Sequence, residues 1–169
     1  EVMAIGRTFE ESLQKALRMV EPAVPGFEAV AGFGDYADAT ERELEYALEV
    51  ATDTRIFAVA AALERGWSVE RINKLTAIDE WFLWKLRRIA EMRRLLKGTP
   101  LSELPPSTVL VAKKSGFSDR QIAALVGAGA SEMDVRAFRL RHGVVPVVKQ
   151  IDTTGAETPA ATNYLYMTY

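Results

Sequence analysis

Cysteine is absent from this 169-residue chain, and histidine occurs once, as His142. These absences exclude thiol nucleophiles, disulfides, thiolate zinc sites and clustered imidazole ligands, so redox and zinc chemistry are ruled out. A surplus of one charge sign is also lacking. The 21 Lys and Arg face 23 Asp and Glu, a net charge of −2, which argues against bulk attraction to nucleic acid or to an anionic membrane. No apolar run approaches the roughly 20 residues that span a bilayer. The first residues, Glu1-Val2-Met3-Ala4-Ile5, lack the basic flank of a signal peptide. The expectation is a soluble, intracellular protein. Both ends fall within apolar alternation, as in a segment cut from a longer chain.

What is present is an ordinary globular composition, 49% hydrophobic and 26% charged. At this length folding buries roughly 70% of the surface that the unfolded chain exposes, enough for one core. Helix signals dominate. Thr8 with Glu11, Thr40 with Glu43 and Ser118 with Gln121 have capping-box spacing. Asp53, Ser68, Asp79 and Ser131 are further N-cap candidates, and Ser107 begins a helix after Leu104-Pro105-Pro106. Pro22 stops the first helix, whose Phe9, Leu13, Ala16, Leu17 and Val20 share one face. Residues 21 to 39 carry two prolines and three glycines without period, and read as a linker or exposed loop. The tail changes character: Val147, Val148 and Ile151, then alternating Tyr164, Tyr166 and Tyr169, predict extended chain leading to another domain. The fold class is therefore all-α, a bundle of short helices in two hairpin-like halves with extended terminal segments.

The two halves are suggested by an internal echo at a spacing of 50 residues. Gly66-Trp67-Ser68 with Ile72 and Leu75 is matched by Gly116-Phe117-Ser118 with Ile122 and Leu125. Each copy supplies a helix stop, an aromatic plug, a new N-cap and two core residues. A duplication accounts for the match, with chance as the competing account.

Few motifs point to chemistry. Residues 118–141 have the outline of a helix-turn-helix, with a Gly127-Ala128-Gly129 turn and Arg136, Arg139 and Arg141 on the second helix. Between Phe117 and His142, however, four Arg face three acids, and plain hairpin packing explains the same pattern. His142 precedes Gly143 and fits a helix C-cap better than a general base. Gly127-x-Gly129 follows a helix and lacks the Lys-Ser or Lys-Thr of a phosphate loop. Glu10, Glu11, Glu43 and Glu45 read as helix-start or solvated carboxylates that do not converge on one substrate atom. No catalytic, cofactor-binding or metal-binding residue is assigned.

Charge layout is more informative. Residues 35 to 53 carry seven acids against Arg42, and residues 85 to 97 carry six bases against Glu91, so the two segments are candidates for mutual pairing, with two separately solvated faces as the alternative. The second segment lies on the longest predicted helix, from Asp79 to about Lys97. At about 100° per residue, Phe82, Leu86, Ile89 and Leu96 form one apolar stripe. Trp81, Trp84, Met92 and Leu95 form another, interrupted by Arg88. The first is expected in the core. The second, Trp81, Trp84, Arg88, Met92 and Leu95, is the candidate self-association surface; the competing expectation is a central helix with both stripes buried.

Several stretches in combination resemble one family. Glu1-Val2-Met3-Ala4-Ile5-Gly6-Arg7-Thr8, Glu11-Ser12-Leu13-Gln14-Lys15-Ala16-Leu17-Arg18, Asp79-x-Trp81-Phe82-Leu83, Gly116-Phe117-Ser118-Asp119, Val148-Lys149-Gln150-Ile151-Asp152-Thr153 and Thr162-Asn163-Tyr164-Leu165-Tyr166 are similar to the middle of the large synthetase component of carbamoyl-phosphate synthase. That resemblance implies two ATP-grasp halves, joined by an all-helical oligomerisation domain. It implies that residues 1–21 end the first half, 22–150 form the helical domain and 151–169 lead into the second half. It implies a ligase in which this segment is non-catalytic, with ATP and Mg²⁺ bound elsewhere in the full enzyme. Implied partners are the flanking ATP-grasp domains, a glutaminase domain or subunit, and further copies in a homo-oligomer; nucleic acid and membrane are not among them. A cytoplasmic pyrimidine-pathway form and a mitochondrial arginine- or urea-pathway form both fit.

Overall fold

The computed structural model describes residues 1–20, 24–127, 129–162 and 164–169. Pro22, Ala128 and Asn163, which enter the readings above, lie outside them. Among the described residues eight helices follow one another: α1 (Phe9–Val20), α2 (Glu41–Glu49), α3 (Arg55–Glu64), α4 (Val69–Thr76), α5 (Glu80–Leu96), α6 (Pro106–Lys114), α7 (Asp119–Leu125) and α8 (Glu132–Arg141). A 3₁₀ turn, Leu101–Glu103, precedes α6. Two short strands, β1 (Val147–Ile151) and β2 (Tyr164–Thr168), close the chain. The expected all-α bundle with extended ends is what forms.

Local chemistry sets most boundaries. Thr40 with Glu43 and Ser118 with Gln121 make complete capping boxes, and Ser131 makes one with Asp134. Ser68 and Asp79 accept from the first turns of α4 and α5. Thr8 accepts from the Glu11 amide, while the Glu11 carboxylate reaches one residue further back, to the Arg7 amide. Two caps differ from expectation. Thr54, not Asp53, is the N-cap of α3 and makes no side-chain capping bond. Pro106, rather than Ser107, opens α6, because a proline at the first helical position lacks only an amide that would have gone unpaired.

Helices α2 to α5 pack into the first half, with α3 touching α2, α4 and α5; α7 and α8 form the second, with α6 against α8. The central helix is α3, in which every residue from Phe57 to Leu63 is buried. Four of those seven are alanines, small enough to let neighbouring helices approach on several sides. Because α3 occupies the centre, α5 does not. Its buried residues are Leu83, Leu86, Ile89, Ala90 and Leu96, whereas Phe82, assigned to the core stripe, is 42% exposed. The inward line is thus one position out of register at its start, and Leu83 takes the place of Phe82.

The echo at Gly66 and Gly116 is structural as well as sequential. Both glycines have positive φ, +83° and +88°, and the following amides close the same turn, Trp67 to the Ala62 carbonyl at 3.0 Å and Phe117 to the Ala112 carbonyl at 3.1 Å. The plugs then diverge. Phe117 is fully buried, whereas Trp67 stays half-buried with the Arg71 guanidinium 3.5 Å from its ring centroid.

The segment read as a linker or exposed loop is partly core: Val24 and Phe27 are both buried. Residues 31, 32 and 34 do lie exposed in a turn. The tail does not simply run on as extended chain either. β1 and β2 pair antiparallel, from Val147 opposite Thr168 to Ile151 opposite Tyr164.

Candidate functional site

Two regions concentrate the interactions that the bundle itself does not require. The first is where the two ends of the chain meet on α1. Lys15 Nζ donates to the Ile5 carbonyl at 2.9 Å, to Glu11 Oε1 at 2.8 Å and to the Met167 carbonyl at 2.7 Å. Glu11 Oε2 accepts from the Arg7 amide at 2.8 Å and from Thr168 Oγ1 at 3.0 Å. One i,i+4 ion pair therefore holds both the leading segment and the last strand. Glu11 is 2% exposed and Glu10 6%, which corrects their reading as helix-start or solvated carboxylates: the positions are right, but the groups are buried and partnered.

The same helix is bonded to the corner before α7. Gln14 Nε2 donates to the Ser115 carbonyl at 2.9 Å, and its Oε1 accepts from Gln121 Nε2 at 3.0 Å. Arg18 donates to the Gly116 carbonyl at 2.9 Å, and burial lowers its guanidinium pKa from the ordinary value. Below this lies Asp119, which receives Lys113 at 2.8 Å and Arg139 at 2.7 Å. All three are buried, and the Tyr169 ring lies 5.0 Å from Lys113 and 5.8 Å from the Arg139 guanidinium. Burial pushes the Asp119 carboxyl up, but the two hydrogen-bonded cations outweigh it and hold its pKa below the usual range. Burial lowers the Lys113 pKa, with Asp119 opposing the shift.

The helix-turn-helix reading of residues 118–141 gains no support: Arg136 and Arg141 are exposed, but Arg139 is turned inward onto Asp119, and α7 packs on α8. His142 is a cap, its Nδ1 2.8 Å from the Phe138 carbonyl. The proposed pairing of segments 35–53 and 85–97 is also replaced. Glu41 and Glu45 pair with Arg71, while Arg93 pairs with Glu28 and Glu64; burial pushes the Arg93 pKa down to about 10. Among the described residues no group of three or more His, Asp or Glu is placed to hold a metal ion.

The second region is the outer side of α5. Trp81, Trp84 and Leu95 are 53%, 45% and 56% exposed, Arg88 is exposed and Met92 half-buried. These five residues lie along one side of the helix, as the sequence pattern requires. Phe82 joins them through Phe9, whose ring centroid lies 5.3 Å from Phe82 and 5.8 Å from Trp81. Towards its C-terminal end, α5 forms with α1 and α6 a groove of about 600 Å³, floored by Met92, Leu95 and Val111 and rimmed by Glu10, Lys85, Arg88 and Lys114. The Arg88 guanidinium lies 3.5 Å from the Glu10 carboxylate.

Lys15, Gln14 and Thr168 went unassigned by sequence reasoning. Glu11 and Lys15 have the spacing of a local helix pair, but nothing local shows that their remaining hydrogen-bonding capacity reaches a strand more than 150 positions away.

A small helical body with its ends fastened together and one apolar face uncovered defines a contact-making domain. The chain belongs to the family described as carbamoyl-phosphate synthetase large chain, oligomerisation domain, which residues 1–143 match. It is 49% identical over 169 residues to a mitochondrial carbamoyl-phosphate synthase (ammonia) of Aquarana catesbeiana. It is 52% identical over 171 residues to the mitochondrial arginine-specific large chain of Schizosaccharomyces pombe, and 46% identical over 170 residues to the multifunctional protein CAD of Squalus acanthias. Each match covers all of this chain, which spans 11%, 14% and 7% of those relatives' lengths.

Proposed function

We propose that this chain is the connecting and oligomerisation domain of a carbamoyl-phosphate synthase, joining two ATP-grasp halves while carrying out no step of the reaction itself. In this reading residues 1–21 end the half that makes carboxyphosphate and carbamate, residues 22–150 form the domain, and residues 151–169 lead into the half that makes carbamoyl phosphate. Bicarbonate, ammonia, ATP and Mg²⁺ act in the flanking halves, and a glutaminase domain or subunit supplies the ammonia. The compartment follows the isoform, cytoplasmic or mitochondrial. The α5 side with Trp81, Trp84, Arg88, Met92 and Leu95 is the face the domain offers to the assembly.

The observation that carries the connecting role is the fastening at Lys15. An ordinary linker needs no contact between its two ends. Here one ion pair supplies hydrogen bonds to Ile5 and Arg7 on one side and to Met167 and Thr168 on the other, so the directions in which the chain arrives and leaves are fixed relative to each other. The test is Lys15→Met in the full-length enzyme. The aliphatic stem keeps its packing while the three donors are lost. Bicarbonate-dependent ATP hydrolysis and ATP synthesis from carbamoyl phosphate, one reaction for each half, are expected to persist, while overall synthesis falls by roughly tenfold or more, the scale on which small misplacements act. Exchange protection of the β1 and β2 amides is expected to fall with it, because an isolated two-stranded hairpin is marginal in water. Unchanged overall synthesis would remove the connecting role.

A further inference from the structure

Between α1, the segment from Val24 to Glu28, α5 and α7 lies a cavity of about 430 Å³ whose charged lining is Arg18, Arg93 and Arg120 against Glu28 alone. We propose that this cavity binds a small phosphate monoester, held by Arg18 and Arg120. Such a site is independent of the connecting role, and none of the chemistry assigned to the flanking halves requires it.

Arg18 gives the first reason. Its side chain is half-buried, and its hydrogen bonds all leave from Nη1 and go to neutral oxygens: the Gly116 carbonyl at 2.9 Å, Gln121 Oε1 at 3.2 Å and the Pro25 carbonyl at 3.5 Å. Among the described residues no carboxylate pairs with it, and Nη2 and Nε make no hydrogen bond. A charge drawn out of water is normally paired. Asp119 does not meet that need, because Lys113 and Arg139 already share it, and the charge of Arg18 acts on Lys113 as repulsion, lowering the Lys113 pKa. The two nitrogens left over form a fork of the kind that grips two oxygens of one phosphate.

Charge balance and shape give the second. Arg93 is spent on Glu28 and Glu64, so it serves as wall and not as ligand group. Arg120 lines the same cavity, is exposed, and has no ion pair among the described residues. Past Arg93 and Leu125, which border both, a smaller cavity adds Arg94 and Lys97 against Glu64. Cations outnumber carboxylates in each, and that surplus favours a dianion over a monocarboxylate. The volume falls within the roughly 300–1,000 Å³ of small-molecule sites. Val24, Pro25 and Leu125 supply an apolar wall, which suits an organic group carried beside the phosphate.

The experiment is amide hydrogen exchange of the full-length enzyme, read peptide by peptide by mass spectrometry, with phenyl phosphate, inorganic phosphate and benzoate as probes. Exchange across residues 24–30 and 118–127 is expected to slow by roughly tenfold when phenyl phosphate stands at about ten times its Kd. Inorganic phosphate is expected to act at higher concentration, and benzoate, which has the ring without the second charge, to act least. Arg18→Gln removes the fork, but Arg18 also holds the Gly116 corner, so Arg120→Gln is the variant that leaves that bond in place. It is expected to weaken phenyl phosphate by roughly tenfold, the scale of one charge-assisted hydrogen bond. Arg136→Gln, exposed on α8 and outside the cavity, is expected to leave the affinity unchanged, which separates this site from phosphate bound elsewhere in the enzyme. No slowing with either phosphate probe, slowing by benzoate equal to that by phenyl phosphate, or the same affinity in Arg120→Gln as in Arg136→Gln overturns the proposal. None of these outcomes bears on the connecting role, which Lys15→Met tests.

Discussion

Asp119 shows how much a single side chain does in this molecule. Among the described residues it is the one carboxylate ion-paired with Lys113 and Arg139, and all three groups are buried. Asp119→Asn keeps the shape and removes the charge, leaving two cations facing each other out of water. Breaking a buried pair in this way costs about 3 kcal/mol, and a urea melt is expected to show it as a lowered midpoint with unchanged slope. Protonation achieves the same neutralisation without a mutation. The folded-state pKa of Asp119 lies below the usual carboxylate range, so its contribution is fully present above the unfolded value of about 4 and is lost as pH falls through the folded value. The cap carboxylates Glu43 and Asp134, lowered by hydrogen bonds from Thr40 and Ser131, act in the same direction. Stability is therefore expected to be level from about pH 5 to 7 and to decline below about pH 4, with Asp119→Asn showing a shallower decline because the largest buried contributor is already gone.

At the scale of the element, the duplicated corners offer a paired test. Both glycines adopt a left-handed φ, yet their surroundings differ. A Cβ at Gly66 would meet nothing within 4 Å, whereas one at Gly116 would lie 2.9 Å from the Glu11 Cα, against the backbone of α1. Gly66→Ala is expected to cost about 1 kcal/mol, the strain of the left-handed region alone. Gly116→Ala adds a clash with backbone that cannot swing aside, and its loss is expected to reach about 3 kcal/mol or more, measured by thermal melts of the two variants side by side. Helix α5 provides a second contrast, between neighbours in sequence. Leu83→Glu places a charge at a fully buried position and is expected to abolish cooperative folding, while Trp84→Glu, at a position 45% exposed, leaves the circular dichroism spectrum intact. Equal loss of helicity in both would mean that α5 is buried on all sides. The helices, their caps and the echo at 50 residues were legible because they rest on interactions within three or four positions. The inward line of α5 was legible only approximately: with Phe82 and Leu83 adjacent and both apolar, periodicity alone does not decide which faces the core, and contact with Phe9 of α1 does.

For the molecule as a whole, the fastening on α1 is the feature on which the proposed connecting role rests. Gln14, Lys15 and Arg18 lie within little more than one turn of one helix, and through them α1 binds the Gly116 corner, the leading segment and β2. The loss of overall synthesis expected for Lys15→Met belongs to this scale, since the hydrogen bonds Lys15 makes go to backbone or to Glu11, and the effect travels through the angle between the two ends of the chain.

The sequence by itself determined the all-α class, nearly every helix start, the structural repetition and, through the resemblance, the family. Each depends on short-range hydrogen bonding, on periodicity, or on words of sequence long enough to be specific. It also marked the five residues of the outer α5 face, because a second apolar stripe on one helix is a local pattern. Tertiary structure alone decided that α3 rather than α5 is central, that Phe27 is buried within an apparent linker, that Glu10 and Glu11 are buried, that Arg139 is spent on Asp119, and that the tail folds back to Lys15. The physical reason is common to all five. Burial and pairing of these groups are set by partners far away in the chain, among them Gln14 for Phe27 and Thr168 for Glu11, and a side chain's own neighbours in sequence carry no record of which distant group will satisfy it.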